Sequence, residues 1–230
     1  MKRTATGVAA TALALMLAAC ASGGPDDGPG LRKLTWFSYL NADDLKADCK
    51  AGAPERLRLV LNADYAEHVR TYDLRADAAT GAADLAIRAM PAANAAALAS
   101  GSLLAPWRGA RADLHLTPGQ SAELQSRIAA SGAFGPPPVG LSLVSSDFYW
   151  LVGGCHQGRA FINAYPLAAD TEAPAFAAAL SALDGTGVAF PDLAAHNRHL
   201  GPTPPHSPQD IALTFTIRIG EQGLQGILPP

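Results

Sequence analysis

Cys155 and His156 are an adjacent pair whose side chains could carry out covalent chemistry. A thiolate at Cys155 could act as a nucleophile, with a histidine as its general base. Neighbouring side chains on a strand point to opposite faces, so the base could also be a distant histidine, of which His68, His115 and His196 are candidates. A hydrolase or transferase that uses Cys155 with a nearby histidine is therefore one hypothesis for the function.

A second group with chemical potential is the pair His196 and His199. Two imidazoles three residues apart share one face of a helix, and neutral imidazole binds zinc or copper. A zinc site needs a third protein ligand, for which Asp192 is the nearest candidate, and the chain has no HExxH pattern. A solvated polar helix end explains the pair as well, and we predict neither a metal nor a cofactor.

Residues 1–19 have the composition of an export signal. Lys2 and Arg3 form a basic start, and a run of small and apolar residues extends from Val8 to Ala19. A helix of this run would be about 18 Å long, whereas the hydrocarbon core of a bilayer is about 30 Å thick. The segment therefore indicates a leader that is removed, and no later stretch is apolar enough to span a membrane.

The run ends in Leu17-Ala18-Ala19-Cys20, which resembles the lipobox of bacterial lipoprotein precursors. The resemblance implies that the leader is cut before Cys20, whose sulfur receives a diacylglyceryl group and whose amino group is acylated. Several acyl chains anchor a protein stably, because each buried CH₂ contributes about 0.8 kcal/mol. The alternative is an ordinary secreted protein in which Cys20 has no special role.

The resemblance also predicts where the protein resides. Ala21, rather than aspartate, follows Cys20, which in the enterobacterial sorting pattern points to the outer membrane. We therefore expect a lipid-anchored protein of the cell envelope, on the periplasmic face of the outer membrane, with the membrane itself as a partner. Residues 20–30 then form the lipidated cysteine and a flexible tether, and residues 31–230 form a single domain.

The charge balance argues against a nucleic-acid partner. The chain has 17 basic and 20 acidic residues, a net charge of −3. The leader contains two of the basic residues and none of the acidic ones, so its removal changes the net charge to −5. Nucleic-acid binding depends on a clustered basic surface, which this balance does not favour.

The chain has three cysteines. If Cys20 carries lipid, as the resemblance implies, two cysteines remain to be explained. Cys49 and Cys155 would then lie in an oxidising compartment, where a disulfide is the usual outcome. In the chain-entropy model a loop of about 100 residues closed by a disulfide stabilises the fold by about 4.7 kcal/mol. We predict this bridge in preference to the reactive thiolate.

Hydrophobic periodicity predicts an α+β fold with a mostly antiparallel sheet and a few packed helices. The predicted strands are 34–40, 56–62, 68–74, 82–90, 139–152, 159–166 and 211–219. The predicted helices are a short turn at 42–47 capped by Asn41, a helix from Thr117 to Ala130 with a capping box, and a helix at 172–184 capped by Thr171. The run 135–138 is predicted to be a hinge between two halves, and 153–158 a hairpin turn.

Two groups of side chains allow either a structural or a binding interpretation. Trp36, Phe37, Tyr39, Tyr149 and Trp150 could line a ligand cleft, but the chain has 48 alanines and bulky rings are needed to fill its core. Arginines on the predicted strands could form an anion-binding patch, although a solvated face with interspersed acids is the simpler interpretation. These arginines are Arg56, Arg58, Arg70, Arg75 and Arg88.

No complete catalytic set is visible, since the chain has neither a Gly-x-Ser-x-Gly elbow nor a phosphate-cradling glycine loop. We therefore expect a non-catalytic binding or scaffold module that contacts an envelope protein or a small ligand. The Cys155 enzyme is the alternative hypothesis.

Overall fold

The computed structural model describes residues 36–65, 67–91, 109–168, 171–192 and 215–228. The leader, Cys20, the tether and the pair His196 and His199 lie outside these residues, so the expectations about them stay predictions.

A six-stranded antiparallel sheet forms the centre of the molecule, in the order β4-β3-β2-β1-β6-β7. A smaller antiparallel sheet has the order β5-β8-β9. The strands of the large sheet are β1 (Arg56–Ala63), β2 (His68–Ala76), β3 (Ala83–Pro91), β4 (Ala110–Leu116), β6 (Phe148–His156) and β7 (Arg159–Pro166). Those of the small sheet are β5 (Ser142–Val144), β8 (Thr216–Ile219) and β9 (Leu224–Leu228). The predicted α+β class is confirmed.

The large sheet is covered on both faces. Face A carries Leu57, Leu59 and Leu61 of β1, as their alternation predicts, and packs against two helices, α2 (Pro118–Ala130) and α3 (Ala175–Leu183). Face B packs against a helical turn at 36–40, helix α1 (Asp43–Ala47) and the small sheet. Three layers therefore enclose two apolar clusters, one on each side of β1.

The helix at 117–130 forms as predicted. Thr117 accepts a hydrogen bond from the Gln120 amide, and the Gln120 side chain accepts one from the Thr117 amide. This reciprocal pair satisfies two backbone donors that the first turn would otherwise leave without partners. Gly132 follows the helix with a φ of 75°, which suits the left-handed residue after a C-terminus.

The third helix begins later than predicted. Helix α3 starts at Ala175, directly after Pro174, and Thr171 does not cap it. Proline disfavours a helical conformation for the residue before it, so a helix cannot continue upstream through Ala173. Phe176 and Leu180 are fully buried against face A, as the i, i+4 spacing predicts.

The prediction of a first strand at 34–40 is wrong where the structure describes it, because residues 36–40 are helical. Trp36, Tyr39 and Leu40 have the i, i+3, i+4 spacing of one helix face, and all three are buried in the cluster on face B. The aromatic content favours a strand, but the spacing satisfies a helix. The short helix at 43–47 is confirmed, although Asn41 does not cap it.

The predicted hinge at 135–138 is also wrong. Strand β1 of the first half pairs with β6 of the second half along its whole length, so both halves belong to one sheet. The hairpin of β6 and β7 is confirmed, but the single strand predicted at 139–152 is wrong, since β5 and β6 belong to different sheets, and the turn is only Gln157-Gly158, with φ values of 50° and 73°. These values suit a tight two-residue turn, and they leave Gly153 and Gly154 inside β6.

The end of the chain departs from prediction in one further respect. The described part of the predicted strand at 211–219 is β8, which is followed by a second strand, β9. Strand β9 has a glycine at its centre and no clear alternation, which explains why its sequence does not predict it. Among the described residues, no helix is long and apolar enough to cross a membrane.

Candidate binding cavity beside the disulfide

The sulfur atoms of Cys49 and Cys155 are bonded, with their Cα atoms 5.4 Å apart. The bridge that the cysteine count predicts is therefore present. Cys155 is buried near the end of β6, opposite Arg56 on β1. Its sulfur is occupied in this state, so a thiolate nucleophile would require reduction of the bridge.

The histidines proposed as bases for Cys155 lie apart from it, except for its neighbour His156. His68 begins β2, at the opposite end of the sheet from the paired residues Arg56 and Cys155. His115 lies on β4, separated from β6 by three strands, and its ring contacts Asp84 at 2.9 Å. His196 lies outside the described residues.

A cavity of about 570 Å³ opens next to the disulfide, at the outer edge of the large sheet. One wall is the loop 134–137, the floor is the start of β7 at 159–162, and the opposite rim is the turn with Glu221 and Gln222. His156 and Gln157 close the end nearest the disulfide. The run that the sequence suggested as a hinge is thus one wall of a cavity.

His156 and Phe134 form the corner of this cavity. Their rings are stacked, with centroids 3.6 Å apart and planes 6° apart. Phe134 also meets Phe161 edge to face at 5.0 Å. His156 Nδ1 lies 2.7 Å from Glu55 Oε2, and the other Glu55 oxygen accepts the Gln157 amide hydrogen at 3.1 Å. The imidazole is therefore held on one side by a ring and on the other by a carboxylate.

The first wall is positioned by the C-terminus of α2. The Asn163 side chain donates to the Gly132 carbonyl at 3.2 Å, and the Tyr165 hydroxyl donates to the Ser131 carbonyl at 3.0 Å. These donors on β7 satisfy carbonyls that the end of the helix leaves without intrahelical partners. Ala133 is fully buried, and Phe134 then turns toward His156.

The opposite rim is positioned by Asn41. Its side-chain oxygen accepts hydrogen bonds from the Leu224 amide at 2.7 Å and from the Lys46 ammonium at 2.9 Å. A Cβ atom at Gly223 would lie 2.5 Å from the same oxygen, and the φ of 150° at this position is one that other residues rarely adopt. The polar side chain that the sequence suggested as a helix cap instead holds the turn between β8 and β9.

The disulfide stabilises the closed end of the cavity. A Cβ atom at Gly158 would lie 2.7 Å from both the Ala51 Cα and the Lys50 carbonyl oxygen, so the loop after Cys49 packs directly on the hairpin turn. The bridge to Cys155 holds that loop in place.

The cavity residues suit binding better than catalysis. The pair of His156 and Glu55 could transfer a proton, but none of the described residues that line the cavity carries a hydroxyl or thiol nucleophile. Aromatic and proline surfaces with a few charged groups are typical of a ligand site.

Two buried arginines, Arg58 and Arg70, hold the layers of the fold together, contrary to the predicted solvated arginine face. Arg58, Arg70 and Arg88 are all buried, while Arg75 is exposed and Arg56 is intermediate. Four of the five share face B, but Arg70 pairs with Leu61 and lies on face A, and layers cover both faces of the sheet. A freely accessible anion-binding patch of these five side chains is not formed.

Arg58 joins the N-terminal helical segment to face B. Its guanidinium donates to Asp73 at 2.7 Å, to Asp44 at 2.8 Å and to the Tyr39 carbonyl at 3.1 Å, and it lies 3.7 Å from the centre of the Tyr39 ring. The Tyr39 hydroxyl donates to Asp73 at 2.7 Å. Burial disfavours the charge, but Asp73 and Asp44 outweigh burial and raise the pKa of Arg58.

Arg70 joins the segment after α3 to face A. It donates to the carboxylate of Asp184 and lies 3.8 Å from the centre of the Phe190 ring. Its remaining donors bond to His68, Thr186 and the carbonyls of Val188 and Ala189. Burial acts to raise the pKa of Asp184, but hydrogen bonds from Thr186, Arg70 and Tyr72 outweigh it, so the pKa is lowered.

His68 accepts a hydrogen bond from Arg70 at 2.8 Å through Nε2. This bond needs the lone pair of that nitrogen, so the ring must be without a proton there. Burial, and then the charge of Arg70, lower the pKa of His68 to about 4. His68, one of the candidate bases for Cys155, is therefore a neutral hydrogen-bond acceptor that orients the buried Arg70.

The aromatic residues that could have lined a cleft are mostly core. Trp36, Tyr39, Tyr149 and Trp150 are buried, and Phe37 packs at the edge of the cluster on face B. None of these five lines the cavity. Among the described residues, no group of three or more histidine, cysteine or acidic side chains could hold a metal ion.

No protein-family model, curated protein or solved structure matches this chain.

Proposed function

We propose that this chain is a lipid-anchored protein of the cell envelope that acts by binding another envelope component, with the cavity beside the disulfide as its binding site. The lipobox at 17–20 supports the anchor, and the acidic and glycine-rich tether supports a domain held away from the membrane surface. The anchor lies on the periplasmic face of the outer membrane. The partner is an envelope protein or a small ligand.

The observation that carries the binding role is the construction of the cavity. Its two rims are held by side chains from other elements, namely Asn163 and Tyr165 on one side and Asn41 on the other. A site whose walls are fixed before the ligand arrives loses little entropy on binding. Phe134 and Phe161 provide apolar contact area, and Arg159 and Glu221 provide charges at the edges.

The anchor is tested by acyl labelling of the protein in cells, followed by membrane fractionation. The wild-type protein should carry the label and sediment with membranes. A Cys20→Ser variant should lose the label and appear in the soluble fraction, whereas a Cys49→Ser/Cys155→Ser variant should keep the label as the matched control. Labelling of the Cys20→Ser variant would contradict the lipobox interpretation.

The Cys155 enzyme remains the alternative, and it makes the opposite prediction about the thiol. Alkylation of the purified protein without reductant, followed by intact-mass analysis, should leave Cys49 and Cys155 unmodified if the domain only binds. Stoichiometric alkylation of Cys155 would favour the enzyme.

A further inference from the structure

Among the described residues, the outer edge of β7 has outward amides without partners only where it borders the cavity. Strand β7 is the last strand of the large sheet, and of the strands that the structure describes only β6 pairs with it. Alternate residues of an antiparallel strand direct their N–H and C=O groups to opposite sides. The turn pairs His156 with Arg159, and the Leu167 amide donates to the Phe148 carbonyl at 2.8 Å, so the odd-numbered residues of β7 bond to β6.

The even-numbered residues of β7 therefore face outward, and two of them are blocked. The Ala164 amide donates to the side-chain oxygen of Asn163 at 2.9 Å. Pro166 has no amide hydrogen. Proline is a usual means of preventing unwanted pairing at a sheet edge.

The other two outward residues, Ala160 and Ile162, both line the cavity. Among the residues that the structure describes, their outward amides have no backbone partner. In the part of the chain that the structure describes, the amides of this edge are thus blocked beyond the cavity and available along its floor.

We propose that the cavity binds an extended peptide segment of an envelope protein, which adds to β7 as a further strand at Ala160 and Ile162. This inference rests on the proposed binding function and names its partner class. Main-chain hydrogen bonds supply the affinity in such strand addition, and pockets for alternate side chains supply the specificity.

The two sides of the edge define the side chains that the peptide presents. Phe161 belongs to face A and meets Phe134 there, so the peptide residue that points to these rings is bulky and apolar, while the exposed Arg159 lies at the start of the strand. Ala160 and Ile162 belong to face B, where Glu221 is exposed at the rim. The residues that point to this side are lysine or arginine, which also suits the net charge of −5 expected for the mature chain.

The probe for this proposal is a capped heptapeptide of sequence TVKFKVT, in which apolar and lysine side chains alternate. Two forms with methylated backbone nitrogens accompany it. One is methylated at the valine and phenylalanine residues, and the other is methylated at the two lysines. In a strand, alternate amides face opposite sides, so only one methylated form should lose the bonds to β7. Binding to the purified mature protein in detergent is measured by calorimetry, up to about 1 mM peptide.

We expect the parent peptide and one methylated form to bind, and the other methylated form to bind at least about fivefold more weakly, which corresponds to about 1 kcal/mol. Ala160→Pro, which removes an outward amide at an exposed edge position, should weaken binding of the parent peptide by a similar factor. Ala160→Val keeps that amide and is the matched control. Glu221→Gln should weaken binding of this lysine peptide.

Absence of binding by all three peptides, equal binding by both methylated forms, or unchanged binding to Ala160→Pro would each overturn strand addition. A separate outcome concerns the proposed function. If a photo-crosslinker at Gln222 captures the same product in cells from the wild-type and Ala160→Pro proteins, the binding role stands and strand addition is wrong.

Discussion

The imidazole of His156 lies parallel to the phenyl ring of Phe134, with 3.6 Å between the ring centroids. The contact joins the loop after α2 to the end of β6, and Phe134 also touches Phe161 of β7. One aromatic side chain thereby connects three segments that border the cavity.

Phe134→Ala should lower the free energy of unfolding moderately, and its main effect should be local opening of the cavity wall. Aromatic pairs contribute about 0.5–1.5 kcal/mol beyond the area that they bury, so we expect a loss of about 2 kcal/mol in the free energy of unfolding. Amide hydrogen exchange at 157–162 should become faster. Val139→Ala, at an exposed side chain that follows the same loop, is the control and should change neither quantity. Unchanged exchange in Phe134→Ala would contradict the role given to this ring.

Arg70→Met should be among the most destabilising substitutions in the chain. It removes a buried cation from Asp184 and leaves the carbonyls of Val188 and Ala189 without their donor. Breaking one side of a buried ion pair costs about 3–5 kcal/mol, to be measured by urea unfolding. Arg75→Met, on the same strand but exposed, should stay within about 0.5 kcal/mol of wild type. Similar losses for both variants would show that Arg70 does not hold the layers together.

Stability should fall as the pH is lowered from about 6.5 to 4, because of His68. The folded protein keeps this ring neutral down to a pKa of about 4, whereas the unfolded chain takes up a proton near pH 6.5. The unfolded state therefore gains the proton first, and we expect a loss of about 2 kcal/mol across this window. The contribution of Asp184 is lost only below about pH 4, since its pKa is lowered in the fold.

His68→Gln isolates this effect, because a glutamine oxygen can still accept the Arg70 bond but does not titrate. Its unfolding free energy should change little between pH 6.5 and 4. His115→Gln, which leaves Arg70 and His68 untouched, should retain the wild-type slope. A wild-type profile that is flat in this window is the result that contradicts a neutral, buried His68.

Replacing both bridging cysteines by alanine should destabilise the domain by about 2–5 kcal/mol. The variant should also lose protection from hydrogen exchange at 49–53 and at the turn 157–158, since the packing of these two segments is held by the bridge. Reductant should reproduce the effect in the wild-type protein and leave the double variant unchanged. Equal stability with and without reductant would argue against a structural disulfide.

The sequence predicts those parts of the fold whose information is local. The capping box at Thr117 and Gln120 is complete within four residues, and the alternation of Leu57, Leu59 and Leu61 follows from one strand. At Trp36, Tyr39 and Leu40 the residue types predict a strand, whereas the spacing of the three is that of one helix face. Spacing was the better guide at that point.

What could not be predicted depends on which layers cover the sheet. Arg58 has the spacing of an exposed strand residue and is buried by the packing of α1, whereas Arg70 shares face A with Tyr72 and Leu74 and is buried by the segment after α3. The candidate cavity has the same origin. Glu55 is 101 residues from His156, and neither residue carries a local signal of their contact.

We propose above all that the chain acts by binding through the cavity beside the disulfide. A photo-crosslinking residue placed at Gln222, on the cavity rim, tests it most directly in living cells. We predict one discrete crosslinked product at Gln222, lost in the Phe134→Ala protein, and no product at Ala79, which is exposed in the turn between β2 and β3. Equal crosslinking at Gln222 and Ala79, or a product that persists in Phe134→Ala, would contradict the account.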